Sequence, residues 1–259
     1  MPLTVRHTLP IPLAVLLLGG VLHAQFRPSA ERPPDGGNRE VLISILIPSL
    51  PNAPFTATVN TEAVRQLADG SNIRVKNHRR IARDESGRIF QERRLLVPDD
   101  GKHESIVTQT EISDPVAHKL YICIPRERTC QLESFSAPQF APPPSGNDHA
   151  GRTQREDLGQ QNIAGLDVTG ALETDVIPSG AIGNDSPLQV KREYWYSPQL
   201  GVNLISKRED PRFGTQNFEV SDIALGQPDV KLFELPKGWR VMDSRRFTGS
   251  GPQPLGSVR

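Results

Sequence analysis

Strand-like runs that alternate with turn sequences constrain this chain more than any other feature of its sequence. Three of the runs end at Asp69-Gly70, at Asp84-Glu85-Ser86-Gly87 and at Pro98-Asp99-Asp100-Gly101. Glycine in these positions supplies the positive φ that tight hairpins require, so each break is predicted to be a turn. Similar runs continue to Leu225 and give about ten strands in total. The predicted fold is therefore mainly β, a single curved antiparallel meander sheet or half-barrel with little helix.

The composition agrees with a turn-rich fold and limits the partners. The chain has 21 Gly and 24 Pro but only 5% aromatic residues, which favours turns over long helices. Its 30 basic and 30 acidic side chains give a formal net charge of zero. Because such a chain lacks the overall positive field that attracts nucleic acid, no nucleic-acid partner is expected.

The first 24 residues have the pattern of a secretory signal peptide. A basic start precedes an apolar run over residues 9–22, and Leu22-His23-Ala24 forms the exit before Gln25. The run is shorter than the roughly 20 apolar residues that span a bilayer, so no stable membrane span is expected after cleavage. The predicted location is periplasmic or secreted, and a retained membrane anchor is the alternative.

The rest of the chain is predicted to divide into three parts. Residues 25–39 are rich in Pro, Gly and charge and are predicted to be a disordered linker. Residues 40–243 are predicted to form the antiparallel β domain, which includes a Pro-rich loop at 134–154. Residues 244–259 are polar, contain Gly and Pro, and are predicted to be a flexible tail.

Two short segments of the β domain differ from the strand pattern. Residues 41–47 are nearly all apolar and stop at Pro48, which suits either a buried strand or one or two docked helical turns. Residues 229–235 are predicted to form a short helix or 3-10 turn, because Pro228-Asp229 favours a helix start and Pro236 a stop.

The two cysteines lie in one predicted hairpin. If Arg126-Glu127 form the centre of its loop, Cys123 faces Cys130, at a Cα separation of roughly 4.5–5.5 Å that suits a disulfide. An oxidising compartment favours the bond. A structural disulfide is predicted over a redox-active pair, since redox pairs usually have the form Cys-x-x-Cys at a helix start.

No local motif indicates an enzyme. The histidines outside the signal segment lack the spacing of a metal pair, and Gly-x-Ser-x-Gly is absent. No catalytic residue, metal or cofactor is therefore predicted, and the protein is expected not to be an enzyme. A hydrolase is a distant alternative that would require a Ser, a His and an acid to converge in the fold.

A run of basic side chains occupies residues 72–95. Its members are Arg74, Lys76, Arg79, Arg80, Arg83, Arg88, Arg93 and Arg94. Strand alternation places Arg74, Lys76, His78 and Arg80 on the face opposite Ile73, Val75 and Ile81, which is typical of a sheet with one solvent-exposed face. A solvated outer face is the favoured interpretation, and contact with anionic lipid or polysaccharide is the alternative.

Tyr194-Trp195-Tyr196 is the densest aromatic cluster of the chain. In a regular strand Tyr194 and Tyr196 share one face and Trp195 takes the other, so at most two of them can line one cavity. Core packing is the default interpretation. These three residues are nevertheless the candidates for contact with a ligand, because aromatic side chains also line pockets.

The C-terminal end carries a motif that resembles known sequences. It reads Asp229-Val230-Lys231-Leu232-Phe233-Glu234-Leu235-Pro236-Lys237-Gly238-Trp239. It resembles the closing segment of exported bacterial proteins with the lipoprotein-carrier (LolA/LolB-like) fold. Residues 55–239 also resemble a group of uncharacterised exported bacterial proteins, through Leu67-Ala68-Asp69-Gly70, Arg83-Asp84-Glu85-Ser86-Gly87-Arg88, Asp114-Pro115-Val116-Ala117, the segment 177–184 and Asp210-Pro211-Arg212-Phe213-Gly214.

The resemblance implies a strongly curved antiparallel sheet whose concave face is closed by a helix or loops and can hold an acyl chain. In this chain only residues 41–47 and the Pro-rich loop are available as covers. The resulting hypothesis is an exported, non-enzymatic β domain that binds a lipid or another apolar ligand in the cell envelope, with lipid or lipoprotein as partner. The alternative is a structural or protein-interaction module of the envelope with a filled core and no ligand.

Overall fold

The computed structural model describes residues 45–137 and 153–247, whose strands form one curved 13-stranded sheet. The first seven strands are β1 (Phe55–Gln66), β2 (Asn72–Arg83), β3 (Ile89–Arg94), β4 (Val97–Pro98), β5 (Val107–Asp114), β6 (Lys119–Ile124) and β7 (Thr129–Ser134). The others are β8 (Thr153–Ile163), β9 (Leu166–Ile177), β10 (Leu188–Ser197), β11 (Val202–Asp210), β12 (Gly214–Leu225) and β13 (Arg240–Asp243). The predicted mainly β fold is confirmed, with a few more strands than expected.

The strand order shows two meanders that meet in the middle of the sheet. It runs β13-β7-β6-β5-β3-β2-β1-β12-β11-β10-β9-β8, and β4 pairs with β2 beside this path. β1 is antiparallel to both β2 and β12, whereas β13 is parallel to β7. Register shifts interrupt the pairs β1–β12, β3–β5, β8–β9 and β10–β11, and such bulges bend a sheet.

Several predicted segments lie outside the described residues. These are the signal segment 1–24, the linker 25–39, most of the Pro-rich loop and residues 248–259. Of the described loop residues, Ser134 ends β7 and Thr153 begins β8, whereas residues 135–137 have no regular structure, as predicted. β8 is exposed along nearly all its length, so no apolar alternation marks its first half in the sequence. Ser244–Phe247, predicted as the start of the tail, form a 3-10 helix.

One face of the sheet carries the main core, and we call it the apolar face. Buried side chains on it include Phe55, Ala57 and Val59 of β1, Ile81 of β2, and Phe218 and Val220 of β12. Alternate residues of β1 are buried over its first half, as a strand with one wet face requires. Leu166, Val168, Leu200, Val202 and Leu204 extend this core towards the β8 edge.

A second apolar cluster explains the C-terminal motif. Ala82, Phe90 and Ile112 alternate with side chains of the apolar face, so they lie on the opposite face, and Phe233 packs against them. The predicted short helix is confirmed as the 3-10 helix Val230–Phe233. It is capped by Asp229, whose carboxylate accepts a hydrogen bond of 3.0 Å from the backbone N–H of Lys231. The closing segment, residues 229–239, therefore covers this face through Leu232, Phe233 and Leu235.

The cysteine hairpin joins β6 to β7. Cys123 lies opposite Cys130, with their Cα atoms 4.0 Å apart, and their sulfurs form a disulfide. Both side chains are fully buried. Within the described ranges, no helix is long and apolar enough to cross a membrane.

Candidate functional site

An extended segment of the chain covers the apolar face, and we call it the strap (residues 45–50). It has neither helix nor strand pairing, unlike either prediction for residues 41–47, of which 41–44 lie outside the described residues. Ile45 and Ile47 are buried in the main core at 6% exposure each, whereas Leu46 between them is 53% exposed. An extended backbone points alternate side chains to opposite sides, so the sequence Ile-Leu-Ile places two anchors on the sheet.

Two arginines of β2 hold the backbone of the strap region. Arg83 donates from Nε to the carbonyl of Ala53 and from Nη1 to the carbonyl of Pro48, both at 2.9 Å. Arg79 donates from Nη2 to the carbonyl of Ile45 at 3.1 Å. Residues four apart in a strand share a face, so both guanidinium groups lie on the apolar face. The interpretation of the basic run as a solvated face is therefore wrong for these two members.

The burial of these arginines is nearly complete. Arg83 is 0% exposed and Arg79 is 3% exposed. Burial lowers the pKa of Arg83 to about 10, and burial together with the charge of Arg93 lowers the pKa of Arg79 to about 10. Both groups stay protonated at neutral pH. The Cζ atom of Arg83 lies 5.0 Å from the centre of the Phe55 ring, a cation–π distance.

A cavity of about 420 Å³ lies beside the strap, and we call it the strap cavity. Its apolar lining comes from Ile45, Leu46 and Phe218, and its cationic lining from Arg192, Lys207 and Arg208. Tyr194, Asn203, Ser206 and Gln216 complete the wall. The cations have acidic neighbours, since Arg192 pairs with Asp175, Lys207 with Glu193 and Arg208 with Asp210. The cavity thus combines an apolar part with a charged rim.

The three aromatic candidates take different positions. Tyr194 is half-buried and lines the strap cavity, and burial raises the pKa of its phenol. Trp195 packs against the main core, lies against Gly170 and donates from its indole N–H to Glu193 at 2.7 Å. Tyr196 is 44% exposed. Only the first of them reaches the strap cavity.

A larger groove of about 830 Å³ is lined by polar residues of β1, β2 and β12 and by residues 97–105. Asn60, Glu62, Lys76, His78 and Glu219 line it, and Lys76 pairs with Asp99. Within the described ranges, no hydrogen bond joins a serine hydroxyl to a histidine ring. In the same ranges, no group of three or more His, Cys, Asp or Glu side chains could hold a metal ion.

Sequence reasoning missed the arginine contacts and the strap cavity. Arg79 and Arg83 look like ordinary members of a basic run, and only their parity with Ile81 places them on the apolar face. That parity was readable from the sequence. The carbonyl groups that the two arginines bind could not be predicted from the sequence, because those groups belong to a segment about 30 residues away.

No protein-family model matches the chain, and no curated protein matches it. Its fold is similar to that of several solved structures. The MucA/MucB complex of Pseudomonas aeruginosa is 13% identical with a TM-score of 0.41, over 73% of this chain and 58% of the other. A LolA superfamily protein of Nitrosomonas europaea is 12% identical with a TM-score of 0.29, over 71% of this chain and 91% of the other. Lipoprotein LppX of Mycobacterium tuberculosis is 10% identical with a TM-score of 0.26, over 69% of this chain and 88% of the other. The chain spans less than two thirds of the matched chain in the MucA/MucB structure.

Proposed function

We propose that this protein is an exported, non-enzymatic β domain of the cell envelope that binds a lipid or another apolar ligand on its apolar face. The observation that carries the proposal is the strap cavity, where Phe218 offers an apolar surface for a tail inside a charged rim. Ligand pockets typically combine an apolar lining with a few placed polar groups. Tyr194 is the aromatic side chain proposed to contact the ligand.

The proposed route of the ligand follows the strap. An extended segment without ladder hydrogen bonds can leave a sheet face more easily than a strand can, because no backbone pairing is lost. A ligand tail would then take the place of Ile45 and Ile47 on the apolar face.

Export is part of the proposal. Cleavage of residues 1–24 would release the linker 25–39 and the β domain 40–243 into an oxidising compartment, periplasmic or extracellular. The disulfide between Cys123 and Cys130 suits such a compartment, since disulfides persist where thiols are not kept reduced. Lipid or lipoprotein is the proposed partner.

A second candidate function rests on a specific observation. Ile45 and Ile47 already fill part of the apolar face, and both belong to the main core. A domain with a filled core would serve as a structural or protein-interaction module of the envelope and would bind no lipid.

Native mass spectrometry and a dye distinguish the two functions. Protein purified from its host is expected to carry co-purified lipid, and the lipid-free form is expected to bind the neutral solvatochromic dye Nile red. The variant Ser206→Phe places a phenyl ring in the strap cavity and is expected to weaken dye binding, whereas the control Ser206→Ala keeps it. Circular dichroism checks that both variants fold. Lipid-free preparations that do not bind the dye would exclude the lipid-binding function and favour the filled core.

A further inference from the structure

We propose that Arg83 is an anion-recognition site, and that the ligand of the apolar face is an amphiphile with a carboxylate or phosphate head. The head would replace the carbonyl oxygens of Pro48 and Ala53 on the guanidinium. This inference rests on the proposed function, because it names the chemical class of the ligand at the same face. It adds a specific residue and a charge to that ligand.

The contacts of Arg83 leave its charge without an anion. Nε and Nη1 bind the two carbonyl groups, and the buried Nη2 has no hydrogen-bond partner in the described structure. Among the described residues, no carboxylate lies within ion-pair distance of Arg83. Two other arginines of the described residues do have an acidic partner, since Arg88 pairs with Asp84 at 2.6 Å and Arg212 with Asp210 at 2.6 Å.

A buried guanidinium without an anion is costly. Removing a charge from water is strongly unfavourable unless hydrogen bonds and an opposite charge compensate for it. The carbonyls of Pro48 and Ala53 compensate only in part, because they are neutral dipoles and leave Nη2 without a hydrogen-bond partner among the described residues. A carboxylate or phosphate can accept two parallel hydrogen bonds from the guanidinium, which is the stronger arrangement. The Arg83 site therefore favours an anion over its present partners.

A ligand could displace the strap because no strand pairing holds it on the sheet. The anchors of the strap are the two isoleucines, the hydrogen bonds from Arg79 and Arg83 to the carbonyls of Ile45 and Pro48, and the packing of Pro48 and Leu50 beside Gly201. A tethered segment competes at an effective concentration of about millimolar. A ligand must overcome this competition. Its observed affinity is lower when a smaller fraction of the molecules has a free apolar face. An anionic head supplies the interaction that the strap lacks.

The geometry also gives the ligand a direction. Arg83 and Arg79 are roughly 13 Å apart along β2, with Ile81 between them on the same face. The strap begins at Ile45, which lines the strap cavity, and reaches Arg83 through the carbonyl of Pro48. A head at Arg83 therefore allows the tail to follow the same course over Ile81 towards Phe218 and the strap cavity.

Displacement of Nile red from the purified protein tests the inference. The competitors are tetradecanoic acid and tetradecanol, below their aggregation limits and at a pH at which the acid is ionised. The acid is expected to displace the dye at about a tenfold lower concentration, as hydrogen bonds to charged groups predict. The variant Arg83→Gln is expected to bring the two competitors to equal concentrations. The control Arg74→Gln, at a half-exposed side chain, is expected to keep the difference.

Each outcome separates the inference from the function on which it rests. If acid and alcohol displace the dye equally from the wild-type protein, the anion site is wrong but lipid binding stands. The same conclusion follows if Arg83→Gln binds the dye and keeps the preference for the acid. If inorganic phosphate alone displaces the acid at millimolar concentration, the site takes small anions and the amphiphile is wrong. If the dye does not bind at all, the proposed function fails first. The wild-type comparison holds even if Arg83→Gln does not fold.

Discussion

At the scale of single residues, two neighbours in the sequence show how position decides the role of a charge. Arg83 and Asp84 are both fully buried, at 0% and 1% exposure. Arg83 binds the strap region, whereas Asp84 accepts hydrogen bonds from Ser86 and Arg88 within its own turn. The partners of the aspartate are local, so the turn motif already indicates them. The partners of the arginine are not local.

Asp84 and Asp210 also make a prediction about pH. Burial raises the pKa of each carboxyl group, but hydrogen bonds from Ser86 and Arg88, or from Arg212, together outweigh burial and leave both pKa values below 3.8. A depressed pKa contributes stability that is present above the unfolded value and lost as pH falls through the folded value.

We therefore expect the free energy of unfolding to fall as the pH is lowered below about 5. The variant Asp210→Asn is expected to be less stable at pH 7 and to lose less on acidification than the wild-type protein. The exposed control Asp185→Asn should follow the wild-type curve. Urea unfolding at several pH values measures this, and an equal acid loss in Asp210→Asn and wild type would refute the assignment.

A second prediction for a single residue concerns the stability of the protein when Gly170 is replaced. A Cβ atom added there would lie 2.6 Å from the ring of Trp195, closer than real contacts allow. Gly170→Ala is therefore expected to destabilise the protein by about 1–3 kcal/mol, the usual cost of overpacking. A double-mutant cycle with Trp195→Leu, followed by urea unfolding, measures the coupling. If the alanine costs as much without the indole ring as with it, the contact does not explain the glycine.

At the scale of elements, two irregular segments cover opposite faces of one sheet. The strap covers the apolar face, and the closing segment covers Ala82, Phe90 and Ile112 on the other. Each anchors through a few apolar side chains, because a short segment without regular hydrogen bonding has little else to hold it. The two covers differ in their polar contacts. Arginines hold the strap, whereas a 3-10 helix and a cap organise the closing segment.

Phe233 is expected to be the main anchor of the closing segment. It is 8% exposed, packs in the second cluster and lies 4.9 Å from the guanidinium carbon of Arg88. Phe233→Ala is expected to cost about 3 kcal/mol in the free energy of unfolding. The control Val230→Ala lies in the same 3-10 helix but is 56% exposed, so its cost should stay within about 0.5 kcal/mol. Equal costs in urea unfolding would show that the segment does not anchor through Phe233.

At the scale of the described sheet, the pairing of β1 with β12 joins the two meanders. Val59 lies opposite Val220, more than 150 residues away in the sequence, and both side chains are buried. The free edges are then β8 and β13. β8 is exposed along most of its length and contains a register shift near Gly159, a common device that disrupts pairing at an edge.

Hydrogen exchange is expected to follow this arrangement. Amides in β1 and β12 should show the greatest protection, because they lie at the centre of the sheet over the main core. Amides in the first half of β8 should exchange fastest among the strands, because they are exposed and paired on one side only. Native-state exchange followed by mass spectrometry measures both. Protection of β8 equal to that of β1 would contradict the strand order.

The sequence determined those features that depend on neighbouring residues. The turn at Asp84, the position of Cys123 opposite Cys130 and the 3-10 helix after Asp229 all involve partners within a few residues. Turn chemistry, hairpin register and capping act over such distances, so a single chain segment specifies them. The same local rules gave the mainly β class and nearly all the strands.

Only the tertiary structure decided which distant segments meet. The pairing of β1 with β12, the burial of Arg83 beneath the strap region and the choice of Tyr194 to line the strap cavity depend on contacts between remote segments. β8 and β13 were hard to predict for the same reason. β8 is exposed to solvent on both faces, and β13 is a four-residue strand that pairs with β7. Apolar alternation marks a strand only where one face is buried, and burial is a property of the assembled sheet.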